Sequence, residues 1–92
     1  MSNLVTVKNS HRDHPDSGWL NKWKKYKGIS EWADVTCANI NCHNIAKHGG
    51  HVIRSADVSK KEYVVPLCVS CNETKNLEFD VNKEDMVLAI EL

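Results

Sequence analysis

Apolar and polar residues alternate at Leu4-Val5-Thr6-Val7, the two-residue period of a half-buried strand, and predict an edge strand inside an extended lead-in over residues 1–15. The period then changes. Trp19, Leu20, Trp23 and Tyr26 follow the i, i+3/i+4, i+7 rhythm of one helix face, with lysines largely on the other. Asp16 or Ser17 is placed to cap this helix and Gly28 to end it, so a helix is expected over about 16–27. The aromatic stripe is expected to be core rather than a platform for stacking bases, and Trp32 is available for packing in the connection that follows. Further on, His51-Val52-Ile53-Arg54 and Glu62-Tyr63-Val64-Val65 read as two strands joined by a turn over Asp57 to Lys61, with Pro66 ending the second. Leu77, Phe79, Val81 and the run Met86 to Ile90 predict a strand or short helix over about 79–91 that folds back on the rest.

The chain has 92 residues, with 41% hydrophobic and 26% charged, which is the composition of one soluble globular domain. A chain of this size buries a modest share of its surface and gains from a staple. Four cysteines supply a candidate: Cys37-x4-Cys42 and Cys68-x2-Cys71. Pairs at these intervals can deliver four thiolates to one tetrahedral zinc, at Zn–S distances of about 2.3 Å. Two disulfides are the alternative. The start Met1-Ser2-Asn3-Leu4-Val5 lacks the basic and apolar regions of an export signal, however, and paired cysteines in a reducing cytoplasm read as a metal site. His43, next to Cys42, could replace it in a Cys3His set; His48 lies too far from a knuckle to be more than a neighbour. No segment approaches the roughly 20 apolar residues that span a bilayer. The expectation is therefore a cytoplasmic protein without a membrane partner.

Gly49-Gly50 marks a backbone that needs unusual dihedrals or a close approach. Cys68 and Cys71 fall where a short helix begins, running to about Asn76 or Leu77. Knuckle, β-hairpin, then a helix carrying the second ligand pair is the order of a treble-clef zinc finger. The fold expected is α+β: one zinc-stabilised domain over 1–92, with its module core at about 37–76 and an N-terminal amphipathic helix.

From Gly49-Gly50-His51-Val52 through Val65-Pro66-Leu67-Cys68-Val69-Ser70-Cys71-Asn72 the chain resembles the ββα-metal (HNH) nucleases, in particular their endonuclease VII-like branch with a four-cysteine structural zinc. The resemblance covers about residues 37–76. It implies that His51 corresponds to the general base that activates water, and that Asn72 corresponds to a helix-borne ligand of a catalytic Mg²⁺ or Mn²⁺. Histidine suits that task because its ordinary pKa lies nearest neutrality, and a hard cation steadies charge on the leaving oxygen. The chain departs from the pattern at Gly50, where active relatives carry the acid that binds the metal. Glu73, Asp57 and Glu62 are nearby acids, none at a replacing interval. Structural roles stand beside the catalytic ones: His51 packed beside the knuckle, and Asn72 bracing the cysteine loop.

Net charge is zero, with 12 basic and 12 acidic residues, but it is segregated. Arg12, Lys22, Lys24, Lys25 and Lys27 gather toward the N-terminus and acids toward the C-terminus, so the basic arm reads either as a footprint for phosphates or as a solvated face. Two functions follow. One is a non-catalytic zinc module that binds DNA, RNA or a protein handling them. The other is an active Mg- or Mn-dependent endonuclease.

Overall fold

A computed structural model describes residues 3–10, 18–74 and 76–92. The expected cap residues Asp16 and Ser17, and Arg12 of the basic arm, lie outside them.

Among the described residues five strands form one antiparallel sheet: β1 (Leu4–Asn9), β2 (His48–Arg54), β3 (Glu62–Leu67), β4 (Glu78–Asn82) and β5 (Val87–Leu88), in the order β4-β1-β2-β3-β5. Helix α1 (Trp19–Lys27) packs on one face and the five-residue α2 (Val69–Glu73) on the other. The class is α+β, as expected. Strand β1 is longer than its alternation predicts, and it is interior rather than an edge. It pairs with β2 through Val7↔Arg54 to Asn9↔Val52 and with β4 through Leu4↔Asn82 to Lys8↔Glu78. A single alternating segment cannot say how many neighbours it will have, because pairing is set by elements far away in sequence.

Alternation along the strands sorts two cores. On one face Val7, Val52, Val65, Leu67, Phe79 and Val81 surround the buried cysteines. On the other, Trp23, Val64 and Val87 are joined by Trp19, Ile29, Val35, Ala89 and Leu92. The helix stripe is thus core at Trp23, half-buried at Trp19 and Leu20, and open at Tyr26, whose hydroxyl instead donates to Glu91 Oε2 at 3.3 Å. Trp32 does not pack either; it is 87% exposed.

Gly28 ends α1 as anticipated. At φ +72° its amide donates to Lys25 O (3.2 Å) while Ile29 N donates to Lys24 O (2.8 Å), the paired bonds of a Schellman cap. The N-cap is Gly18, not the residues before it. Neither Gly49 nor Gly50 has positive φ, so the reason for both is space. A Cβ at Gly49 would stand 2.6 Å from Leu20 N and Trp19 C, in the backbone of α1.

Strand β3 runs through Pro66 to Leu67 instead of stopping before it. The two-residue β5 covers only Tyr63 and Val64. Beyond it the outer edge of β3 meets the cysteine loop, where Ala38 N donates to Pro66 O at 2.7 Å. The N–H that proline lacks belongs on this side, so no rung of the β2–β3 ladder is lost.

The chain between β4 and β5 is a 3₁₀ turn, Lys83–Asp85, fastened to α1 by Trp23 Nε1 donating to Asp85 O at 2.8 Å. Burial, and then the neighbouring Glu84 charge, holds the Asp85 carboxyl above its ordinary pKa. The folded state therefore binds this proton more readily than the unfolded chain, and the associated stability is lost as pH rises through the raised value. Asp85→Asn is expected to raise the Tm at neutral pH, with the advantage narrowing on acidification. An equal or lower Tm for the variant at pH 7 would contradict this.

Candidate metal centre

The first cysteine pair sits on a loop closed by its own short ladder. Thr36 bridges Ile45, Cys37 N donates to Asn44 O (2.8 Å), and Ala46 N donates to Val35 O (2.7 Å). At the tip Cys42 N donates to Asn39 O (2.9 Å), and Asn39 Oδ1 accepts from Asn41 N (3.0 Å), an Asx turn that explains the four-residue interval. The second pair is set by α2. Cys68 is its N-cap, with Sγ accepting from Cys71 N at 3.5 Å, and Cys71 follows one turn on.

A five-residue helix does not stand alone. Asn9, 1% exposed at the end of β1, holds it in place: Nδ2 donates toward Cys71 O and Asn72 O (2.9 Å each) and Thr74 O (3.0 Å).

The four Sγ atoms lie within 4.8 Å of one another. Bonds of about 2.3 Å at tetrahedral angles separate sulfurs by roughly 3.8 Å. Cys42 and Cys68 are 3.6 Å apart, far beyond a disulfide bond, and all four cysteines are free. The donor set and its spacing fit structural zinc. Neither His43 nor His48 joins the cluster; His48 lies in β2 opposite Leu67. Two amides that sequence reading passed over face the sulfurs, Asn39 Nδ2 at 3.6 Å from Cys71 Sγ and Asn44 Nδ2 at 4.0 Å from Cys68 Sγ. Their signal was there, since both stand beside the first cysteine pair in a loop where side-chain amides turn inward.

The thiols differ. Burial pushes Cys68 up, but the Cys71 amide and the neighbouring thiols outweigh it and bring the value down to about 7. Burial pushes Cys71 up to about 12, with the negative neighbours adding to it against the Asn39 amide. Cys37 is raised, again chiefly by burial. A divalent cation answers this arrangement by neutralising thiolates that otherwise repel each other in a confined space.

The residues matched to a nuclease do not share one face. Asn72 lies on the metal side, where a Cβ built at Gly50 would stand 3.0 Å from Asn72 Oδ1 and overlap Leu67 Cδ1. The next residue in β2, His51, points to the α1 side. Its ring, 8% exposed, meets the Trp19 ring edge-on at a centroid distance of 4.6 Å and 83°. It therefore packs on the face away from the knuckle. Glu73 is exposed at the end of α2; Asp57 is engaged by Ser59, whose amide (2.9 Å) and hydroxyl (2.7 Å) both donate to its Oδ1.

The basic helix also divides. Lys22 and Lys25 are exposed, the former with Nζ 4.4 Å from the Trp19 ring centre. Lys27 Nζ donates to Glu84 O. Lys24 is 7% exposed, and its ammonium donates to Glu31 O (3.1 Å) and Ala33 O (2.7 Å). It is a structural clip rather than part of an open basic face.

Among the described residues no helix is long and apolar enough to cross a membrane. Comparison with protein-family models, with curated proteins and with solved structures finds no match. The site is a cluster of four cysteines positioned to hold a metal ion in a small α+β domain.

Proposed function

We propose that this chain is a zinc-stabilised, HNH-like treble-clef module that binds nucleic acid, or a protein that handles it, without hydrolysing phosphodiesters. The treble-clef reading rests on the element order: closed cysteine loop, β2–β3 hairpin, then α2 carrying Cys68 and Cys71. The observation that carries the non-catalytic part is the crowding at Gly50. A metal-binding acid would be needed there, and even a Cβ overlaps Leu67 Cδ1 and stands 3.0 Å from Asn72 Oδ1. Without a carboxylate, Asn72 is a single neutral oxygen, poor company for Mg²⁺. His51 is buried and packs edge-on against Trp19. The binding part rests on exposed Lys22 and Lys25 and on the segregated charge.

The second reading, an Mg- or Mn-dependent endonuclease with His51 as base and Asn72 as ligand, draws support from Asn72 Oδ1 standing over the residue next to His51. Incubating supercoiled plasmid with the zinc-loaded protein in Mg²⁺ or Mn²⁺, beside His51→Ala, separates the two. The expected result is no nicking by either protein, together with oligonucleotide binding that weakens steeply as salt rises. Divalent-dependent nicking that His51→Ala abolishes would overturn the non-catalytic reading.

A further inference from the structure

The turn after α1 presents one aromatic ring to solvent on a fixed support. Ala33 N donates to Ser30 O (3.0 Å) and Trp32 N to Ser30 Oγ (3.2 Å), closing a tight turn. The carbonyls on either side of Trp32, those of Glu31 and Ala33, both accept from the buried Lys24 ammonium. A lone exposed apolar residue on a loose loop asks for no explanation. Here the backbone on both sides of an 87% exposed indole is held by a lysine withdrawn from water. Burying an ammonium is costly unless it is well bonded, so the backbone that carries Trp32 is held in place.

Beside the turn lies an open groove of about 360 Å³, lined by Asn21, Lys22, Lys25, Ile29 and Glu31. Lys22 and Lys25 are three residues apart on α1 and so share a face. Glu31 shares the lining, so two lysines face one carboxylate and the groove keeps a net positive charge. The next residue along the chain is Trp32. An exposed ring one residue along the chain from a groove that two lysines line suits one nucleotide step, with phosphate at the lysines and base on the indole. Stacking of this kind needs an unpaired base, whose faces a duplex hides, and it tolerates any sequence because every base has a π-face.

We propose that this surface binds single-stranded nucleic acid, with Trp32 as the stacking residue, Lys22 and Lys25 as phosphate contacts, and Lys24 as the residue that positions the turn. The assignment rests on the nucleic-acid reading above and names the part of the molecule that carries it.

The test is fluorescence anisotropy of a labelled oligo(dT) 12-mer and of a duplex of equal length, titrated with the zinc-loaded 92-residue chain at low and at raised salt. Trp32→Ala, Trp32→Phe, Lys25→Ala and Lys24→Met are compared with the parent, with zinc content and circular dichroism checked for each. Single-strand binding is expected to weaken about ten-fold or more in Trp32→Ala and to be largely retained in Trp32→Phe. Lys25→Ala should lower the slope of log affinity against log salt by about 0.7. Lys24→Met should weaken binding with that slope unchanged, because its ammonium meets carbonyls and not phosphate. If the parent binds single strands and Trp32→Ala binds them equally, or if duplex is preferred, this assignment fails and the broader nucleic-acid reading stands. If the parent binds neither form at low salt, that broader reading fails and takes this assignment with it.

Discussion

Removing the metal from this chain, or replacing Cys68 with serine, is expected to unfold it. The four sulfurs join a loop closed by its own ladder to a helix of five residues held by Asn9. Cys37, Cys68 and Cys71 also belong to the main hydrophobic cluster with Val52, Val65 and Leu67, so losing the metal leaves repelling or protonating thiols inside the core. Structural zinc sites of this type contribute about 10–16 kcal/mol near pH 7. Whole domains are stable by only about 5–15 kcal/mol. The first figure is large enough to consume the second.

Circular dichroism followed during chelation should lose both helix and sheet signal together with zinc, and Cys68→Ser should express as an unfolded chain. An unchanged spectrum after verified zinc removal would refute this. The pH dependence has a definite sign. Protons compete with zinc for the thiolates, so apparent affinity falls as pH falls. Cys68, held down at about 7, yields its proton most readily; Cys71, pushed up to about 12, must lose a proton when the metal enters. Zinc uptake near neutral pH should release protons, measurable by titration in weakly buffered solution.

Gly49→Ala is expected to be the most damaging conservative change outside the metal ligands, costing about 3 kcal/mol, the upper end of the range for overpacking. The added Cβ would meet Leu20 N and Trp19 C at 2.6 Å, and backbone cannot rotate away as a side-chain tip can. The first turn of α1 would have to lift from β2. That loosens Trp19 from His51 and Trp23 from Val64, the seam of the second core. Thermal unfolding should show the loss directly, and near-ultraviolet dichroism should report the displaced tryptophans. Gly50→Ala should be milder if the Leu67 side chain gives way. Equal stability of Gly49→Ala and the parent would show that α1 does not sit as described.

Much of the local structure was legible because its causes are local. The helix rhythm from Trp19 to Tyr26, the Gly28 stop and the hairpin after Gly49-Gly50 each follow from neighbouring residues, and each is present with its bounds shifted by a few positions. Misreadings concern partners distant in sequence. Tyr26 keeps the core rhythm yet stays open, its hydroxyl reaching Glu91 65 positions away. Pro66 looks like a strand terminator but sits on an edge where its missing donor is harmless. Asn9 looks like an ordinary polar residue at a strand end, yet it holds α2 by three carbonyls more than 60 positions away.

By itself the sequence determined which four cysteines come together, since cysteine intervals and knuckle chemistry act over a few residues, and with them the order of loop, hairpin and helix. Only the tertiary structure decided that β1 is interior, that Lys24 is a buried clip while Lys22 and Lys25 face water, and that His51 and Asn72 lie on opposite faces of the sheet. The reason is physical: spacing sets which side chains can share a face, but burial and pairing depend on which surfaces the five-stranded sheet and the two cores bring against them.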